Sequence, residues 1–364
     1  MLQETRSTSC GRNPRFYGPV RSNEKTEAGE RILEALQGFV GAGRQMSETR
    51  YEPADSFETP RFSGVRTFMR LPNVRDLENA DAAIVGAPFD TGASFRAGAR
   101  FGPESIRSIS HLLRPYNPSQ SVAIFDQLSV LDYGDVPVVP GFIEESYETI
   151  QSGLEEIHRA GVVPIVLGGD HSIALPELRA AAAVHGPLAL VQFDSHADTW
   201  DQYFGKKYNH GTIFRRAVEE GLLRADRSIQ VGMRGSLYDA GDLDASRKLG
   251  LDLVTTDDIR KTSVSETIER IQERVGDAKV YVSFDVDFVD PAYAPGTGTP
   301  EIGGFTGREA QEFLRGLAGL QIRGCDVVEV YPQYDGPGQI TALLAANVAF
   351  ELLGLVAVST RSNG

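Results

Sequence analysis

Short apolar runs alternate with amphipathic segments along most of this chain. The runs lie at 82–87, 162–169, 188–194, 228–233, 280–285 and 325–332, with one further candidate at 353–359. Runs that are apolar on both faces are typical of strands in a parallel sheet with helices on both sides. Segments such as 145–161 and 263–276 have helical spacing instead. The alternation predicts a three-layer α/β/α domain with a central, mostly parallel sheet.

A polar, turn-rich segment precedes this pattern. Within it, the stretch 24–39 places Ile32, Leu33, Leu36 and Phe39 at helical spacing. We expect residues 1–55 to form an arm, partly helical, that packs on the main domain or on a partner subunit. Residues 56–364 would then form one domain that carries the chemistry.

The composition excludes several classes of function. The chain has 41% hydrophobic and 24% charged residues, as soluble globular proteins do. Its net charge of −14 argues against a nucleic-acid partner and is compatible both with attraction of small cations and with plain solubility. We find neither an apolar stretch of the roughly 20 residues that span a membrane nor a secretory signal, and expect no membrane partner. With two cysteines, the expected location is the cytoplasm.

Polar side chains recur at every second position just after the run 188–194. Asp194, His196 and Asp198 stand at this spacing, and in an extended backbone they would project to the same side. Carboxylates crowded in this way repel one another unless a cation lies between them. The spacing therefore predicts a cation site.

Other polar groups end neighbouring apolar runs. Asp285 and Asp287 are again two positions apart, His171 follows the run 162–169, and Glu329 interrupts the run 325–332. Ligands of open α/β sheets collect at the carboxyl ends of the strands. We therefore expect four strands to deliver these groups to one edge of the sheet.

The donor set indicates two metal ions that share ligands. Carboxylates with some imidazole and no thiolate favour Mn²⁺ among the common divalent ions, and Zn²⁺, Co²⁺ or Ni²⁺ are also compatible. Two such ions roughly 3.5 Å apart can lower the pKa of one water enough to supply hydroxide near neutral pH.

These motifs resemble, in order, those of the ureohydrolase family of arginases, agmatinases and related guanidino-compound hydrolases. They are GAPFDTGASFRAGARFGPESIR, GGDHS, FDSHADTWD, NHGTIFRRA, SFDVDFVDPAYAPGTGTPEIGGFTGRE and DVVEVYPQYD, from Gly86 onward. The resemblance implies the arginase-like fold for 56–364. It also implies hydrolysis of a guanidinium C–N bond with release of urea and an amine.

By this resemblance, each candidate residue receives a role. The first metal would take His171, Asp194, Asp198 and Asp285, and the second would take Asp194, His196, Asp285 and Asp287. Asp194 and Asp285 would bridge the two ions. His210 matches the histidine that moves a proton, and an imidazole is suited to that role. Glu329 matches the glutamate that holds the guanidinium, which a carboxylate can do through paired hydrogen bonds.

The loop after Asp198 predicts which substrate is cleaved. Its sequence, TWDQYFGKKYN, is aromatic where arginases carry small polar side chains, so arginine is an unfavourable substrate. Trp200 could stack on a cation or simply pack at the rim. Asp201 could attract the distal amine of agmatine, whereas Lys206 and Lys207 could pair with a substrate carboxylate.

The leading hypothesis is a dinuclear-metal hydrolase that converts agmatine to putrescine and urea. The alternative keeps the reaction but takes guanidinobutyrate, guanidinopropionate or guanidine, the last favoured by the bulk of Tyr331. A non-catalytic subunit of the same fold is disfavoured because all six metal ligands are present, and the loop disfavours a formiminoglutamate hydrolase. The resemblance further implies a homo-trimer or homo-hexamer.

Overall fold

The computed structural model describes residues 50–362. The predicted arm therefore lies outside the described residues except for 50–55, as does its predicted helix at 24–39. Residues 50–55 pair with the domain: the Tyr51 backbone N–H donates to Ser129 Oγ at 2.9 Å, and that of Ala54 donates to the Arg70 carbonyl at 3.3 Å.

Eight parallel strands form the central sheet, in the order β4-β1-β5-β10-β9-β6-β7-β8. The strands are β1 (Ala82–Ala87), β2 (Tyr116–Asn117), β3 (Val122–Ala123), β4 (Val130–Asp135), β5 (Val163–Gly168), β6 (Ala189–Phe193), β7 (Ile229–Met233), β8 (Asp252–Thr255), β9 (Lys279–Asp285) and β10 (Gln321–Val328). Strands β2 and β3 pair separately as a two-stranded antiparallel ladder.

Helices cover both faces of this sheet. They are α1 (Gly102–Ser110), α2 (Ile124–Gln127), α3 (Ile143–Arg159), α4 (Ala174–His185), α5 (Ile213–Glu219), α6 (Asp242–Lys248), α7 (Thr256–Lys261), α8 (Val264–Val275), α9 (Gly307–Arg315) and α10 (Ile340–Ser362). Short 3₁₀ turns lie at Phe68–Arg70, Ala99–Phe101, His171–Ile173, His210–Thr212, Ala225–Arg227, Val286–Phe288 and Pro332–Tyr334.

Alternate residues of the strands enter different cores. In β1, Ile84 packs in the core under α1, α8, α9 and α10, while Ala83 and Val85 pack against α3 on the other face. Burial on both faces explains why the strands are continuously apolar rather than alternating. The prediction of a three-layer α/β/α domain with a mostly parallel sheet is confirmed.

The structure adds to the predicted elements and corrects one of them. Four of the six firm apolar runs contain β1, β5, β6 and β7, and the other two overlap β9 and β10, but β4 and β8 are not among the predicted strands. The candidate strand at 353–359 is wrong, since these residues belong to α10. A continuous apolar run cannot distinguish a strand from a helix that is buried on most sides.

The last helix is also the longest apolar segment in the described part of the chain. By length and composition alone, Ile340–Ser359 could cross a membrane, so the expectation that no segment reaches this length is wrong. However, 78% of its apolar window is buried inside the protein. This burial is the property of a core helix, and α10 packs on α1 and α9.

A close approach of two backbones sets the end of β5. A Cβ atom on Gly169 would lie 1.7 Å from the Phe89 carbonyl oxygen, so only glycine fits. We predict that Gly169→Ala lowers the free energy of unfolding by about 2 kcal/mol or more, because backbone rather than a flexible side chain must move. Thermal unfolding measures this. Gly336→Ala is the control, since a Cβ there has no neighbour within 4 Å, and equal stability of the two variants would contradict the prediction.

Candidate metal centre and active site

Four adjacent strands in the middle of the sheet end beneath the predicted metal ligands. In sheet order they are β5, β10, β9 and β6. Asp194 follows β6 directly, Asp285 is the last residue of β9, and Glu329 follows β10 directly. His171 lies three residues beyond β5. The expected convergence at one edge therefore occurs.

The first group of ligand atoms surrounds the His171 imidazole. Nδ1 of His171 lies 2.9 Å from Asp198 Oδ2, 3.1 Å from Asp194 Oδ2 and 3.4 Å from Asp285 Oδ2. Although these carboxylates are close, Nδ1 is buried and has no aligned hydrogen bond among the described residues. The atoms therefore face a common point rather than pair with one another.

The second group shares Asp194 with the first. Nδ1 of His196 lies 3.0 Å from Asp287 Oδ2 and 3.6 Å from Asp194 Oδ1. One ligand atom each from Asp194, His196 and Asp287 lies within 4.8 Å of the others, as is also true of His171, Asp194 and Asp198. Asp285 belongs to neither of these triplets, so its bridging role stays a prediction.

Turns, rather than an extended strand, bring Asp194, His196 and Asp198 together. Strand β6 ends at Phe193, and Asp198 has a φ of 51°, so the extended geometry assumed for the trio is wrong. Glu329, with a φ of 64°, also has a left-handed backbone. Such conformations are strained for residues other than glycine and occur often at functional sites.

Neighbouring polar groups hold the ligands in place. Nε2 of His171 lies 2.8 Å from Ser283 Oγ, which donates to Asp326 Oδ1 at 2.8 Å. Because the carboxylate can only accept, Ser283 accepts from Nε2–H, and Nδ1 is the ring nitrogen that faces the carboxylates. Gln192 donates to Asp194 Oδ2 at 2.7 Å, and Ser195 donates to Asp287 Oδ1 at 2.8 Å.

The electrostatics of the cluster fit divalent cations. Burial, then the charges of Asp287 and Asp194, raise the pKa of Asp285 well above its usual range. Burial lowers the pKa of His171, but the three surrounding carboxylates outweigh it and raise that pKa well above normal. Without a cation, protons must neutralise this buried negative charge, and divalent ions among oxygen and imidazole donors would do so in their place.

His210 and Glu329 form a pair beside these groups. Glu329 Oε1 accepts from His210 Nδ1 at 3.0 Å and from the His171 backbone N–H at 2.7 Å. Burial lowers the pKa of His210, but the hydrogen bond and charge of Glu329 outweigh it and raise the pKa to about 8. Glu329 Oε2 is buried without a hydrogen-bond partner in the described part of the chain, so it remains free to accept one.

The space around Glu329 is narrow. A Cβ on Gly298 would lie 2.9 Å from Glu329 Oε2 and 2.9 Å from Cζ of Tyr331. The Tyr331 side chain is fully buried, and its hydroxyl has no hydrogen-bond partner among residues 50–362. Gly298 therefore leaves room that any other residue would fill.

An open cavity of about 510 Å³ lies above the cluster. Of the predicted site residues, His196, Asp198, Trp200, His210 and Asp285 line it. The remaining predicted site residues, except for Asp201, are buried beneath the cavity. The exposed carboxylate of Asp201 accepts from Arg216 at 2.7 Å, and it does not line the cavity.

The aromatic loop forms one wall of the cavity. Trp200 stacks on Tyr203, with ring centroids 5.1 Å apart, and Tyr238 lies beside both rings. Lys206 and Lys207 are exposed and do not line the cavity. The packed-rim interpretation of Trp200 and a role in cation stacking are both compatible with this position.

Sequence reasoning assigned no role to several other residues that line the cavity. They include Ser94, Arg96, Arg234, Asp242 and Glu301. Ser94 and Arg96 stand in the motif GASFRAG and Glu301 in PGTGTPEIGG, but neither motif indicates that these side chains line a cavity. Arg234 and Asp242 lie outside the motifs, and no local signal marks them.

The α/β/α fold and the two groups of candidate metal ligands at the carboxyl ends of its strands indicate a metal-binding enzyme. Comparison with known proteins gives its family. Residues 80–354 match the arginase family, and the chain belongs to this family of ureohydrolases, whose members use a dinuclear metal site. The resemblance to ureohydrolases that the motifs indicate is confirmed.

The relatives are hydrolases of guanidino compounds. The chain is 47% identical to a guanidinobutyrase of Pseudomonas aeruginosa, over 85% of this chain and 97% of the relative. It is 46% identical to a mitochondrial agmatinase of Gallus gallus, over 85% of this chain and 91% of the relative. A solved proclavaminate amidino hydrolase of Streptomyces clavuligerus, 41% identical, matches with a TM-score of 0.80 over 83% of this chain and all of its own.

We predict that Asp194→Ala removes bound metal and urea release together, because Asp194 belongs to both ligand groups, with Oδ2 near His171 and Oδ1 near His196. Metal per chain after dialysis is measured by mass spectrometry, with urea release in parallel. Asp226→Ala, at a carboxylate whose side chain is 70% exposed, is the control and should keep both. Full activity of the Asp194 variant would contradict the metal assignment.

Proposed function

We propose that this protein hydrolyses agmatine to putrescine and urea. The observation that carries the proposal is the placement of the His210–Glu329 pair beside two groups of metal ligands, beneath an open cavity. Family membership supports the reaction. The substrate rests on the residues that line the cavity.

The residues divide the chemistry between them. Two divalent ions, held by His171, Asp194, His196, Asp198, Asp285 and Asp287, would supply an activated water when bound. The free Oε2 of Glu329 would accept an N–H of the guanidinium and orient its carbon. His210, whose pKa of about 8 lies near working pH, would deliver a proton to the departing amine.

The far wall of the cavity favours a cationic tail. Glu301 and Asp242 line the same cavity as Trp200, Tyr203 and Tyr238. Carboxylates and aromatic faces both attract an alkylammonium group. This arrangement supports agmatine, with Glu301 rather than Asp201 near its distal amine.

An arginine in the same cavity supports a second candidate, a guanidino acid. Arg96 and Arg234 both line the cavity. All three nitrogens of Arg234 already donate to backbone carbonyls, whereas Arg96 donates through Nη1 to the Thr297 carbonyl. A substrate carboxylate could therefore pair with the other N–H groups of Arg96. The 47% identity to a guanidinobutyrase supports the same candidate.

A substrate panel separates these candidates. Urea release is measured with agmatine, guanidinobutyrate, guanidinopropionate, arginine and guanidine, each with Mn²⁺ and with Ni²⁺. We expect the highest kcat/KM with agmatine. If agmatine yields no urea with either metal while another compound does, the agmatine proposal is wrong and the reaction class stands.

A charge change in the cavity provides a second test. We predict that Glu301→Gln raises KM for agmatine about tenfold, because one charge-assisted hydrogen bond is lost. KM for guanidinobutyrate should not rise. Glu273→Gln, at an exposed position on α8, is the control. A rise of KM for both substrates, or for neither, would mean that Glu301 does not bind the alkylammonium group of agmatine.

We propose Mn²⁺ as the resident ion, with Ni²⁺ as the alternative. The carboxylate-rich donor set supports this choice. We further propose a homo-trimer or homo-hexamer that works in the cytoplasm on a small cationic guanidino compound. Residues 1–55 would serve as an arm, and 56–364 as the catalytic domain.

A further inference from the structure

A serine hydroxyl extends the His210–Glu329 pair into the cavity. Ser94 lies on the loop between β1 and α1, is half-buried, and lines the cavity. Its Oγ lies 2.7 Å from Nε2 of His210. Ser94, His210 and Glu329 thus form one continuous line of hydrogen bonds from the open cavity to a buried carboxylate.

The direction of these hydrogen bonds follows from the acceptors. A carboxylate only accepts, so Nδ1 of His210 carries the proton shared with Glu329. When His210 is neutral, its Nε2 accepts from the Ser94 hydroxyl. When His210 is protonated, Nε2–H donates to Ser94 Oγ instead, and the hydroxyl proton is free to point into the cavity. Only a hydroxyl can both accept and donate in this way at a single atom.

Hydrogen bonds of the Gly92 backbone hold Ser94 and His210 close together. The Gly92 carbonyl accepts from the His210 backbone N–H at 3.1 Å and from Asn209 Nδ2 at 2.7 Å. The Gly92 N–H donates to Asp170 Oδ2 at 2.7 Å. The loop that carries Ser94 is therefore tied to the segment that carries His210 and to the turn after β5, so the contact between Ser94 and His210 is built into the site.

We propose that Ser94 is a catalytic residue that relays the proton from His210 to the leaving nitrogen. This inference rests on the proposed hydrolysis. Water adds to the guanidinium carbon, and the proton that it loses protonates His210. The C–N bond then breaks with its electron pair on nitrogen, which takes the Ser94 hydroxyl proton while Ser94 takes the Nε2 proton. The remaining water proton passes to solvent as the carbonyl of urea forms.

The test compares Ser94→Ala with Ser94→Thr, using the best substrate of the panel. Ser94→Ala should lower kcat about 100-fold, as loss of a general acid does, while KM stays within about threefold. Ser94→Thr, which restores a hydroxyl, should recover most of kcat. Metal per chain should equal that of the wild type in both variants. Thr91→Ala is the control, because this hydroxyl of the same loop faces Gly141 rather than His210.

A proton inventory distinguishes a relay from simple positioning of the ring. In mixtures of H₂O and D₂O, kcat of the wild type should fall along a curve, because two protons move together, and along a straight line in Ser94→Ala. The relay is overturned if Ser94→Ala keeps kcat within threefold, if Ser94→Thr is as impaired as Ser94→Ala, or if metal is lost with activity. A wild type that releases no urea from any panel compound would instead overturn the proposed function.

Discussion

The buried negative charge at the carboxyl edge of the sheet is the constraint on which the rest of this structure depends. Asp194, Asp285 and Asp287 are almost fully buried, and burial opposes the charge of each. Such a cluster is stable only with compensating charge, from protons on His171 and His196 or from metal ions. The identities of the ligands, their hydrogen-bonded neighbours and the chemistry above them all follow from this requirement.

The order of the strands makes the cluster possible. Because β5, β10, β9 and β6 are neighbours in one parallel sheet, residues far apart in sequence meet at one edge. The helices on both faces bury the strands, and the loops at this edge supply His210 and the aromatic wall. The same arrangement leaves one side of the cluster open to a substrate. Glu329 lies next to the cluster, where it accepts a hydrogen bond from the His171 backbone N–H.

The apolar runs predicted the layered fold, and the acidic and imidazole residues at their ends predicted a cluster at one edge of the sheet, because the positions of the strand ends are kept in the structure. Strands β4 and β8 escaped prediction because polar residues interrupt them, Asp132 in β4 and Asp252 at the start of β8. The strand predicted at 353–359 is wrong because a continuous apolar run shows neither the period of a half-buried strand nor that of an amphipathic helix. The positive φ of Asp198 could not be predicted, since tertiary packing imposes it.

The parts of the site that face the substrate were the hardest to predict. Asp201 was singled out for its charge, but its pairing with Arg216 depends on where α5 lies. Ser94 and Glu301 stand in two of the motifs shared with the family, yet the sequence of a loop does not reveal which residues of other loops its hydroxyl or carboxylate contacts. Contacts between loops that are distant in sequence are therefore the part of the site that the sequence does not predict.

The proposed function depends on the binding of two metal ions by this buried cluster. Anomalous diffraction at the absorption edge of the ion tests it most directly, on crystals grown with Mn²⁺. We expect two peaks in each chain, one within coordination distance of Nδ1 of His171 and one within coordination distance of Nδ1 of His196. A single peak, or peaks away from both imidazoles, would contradict it.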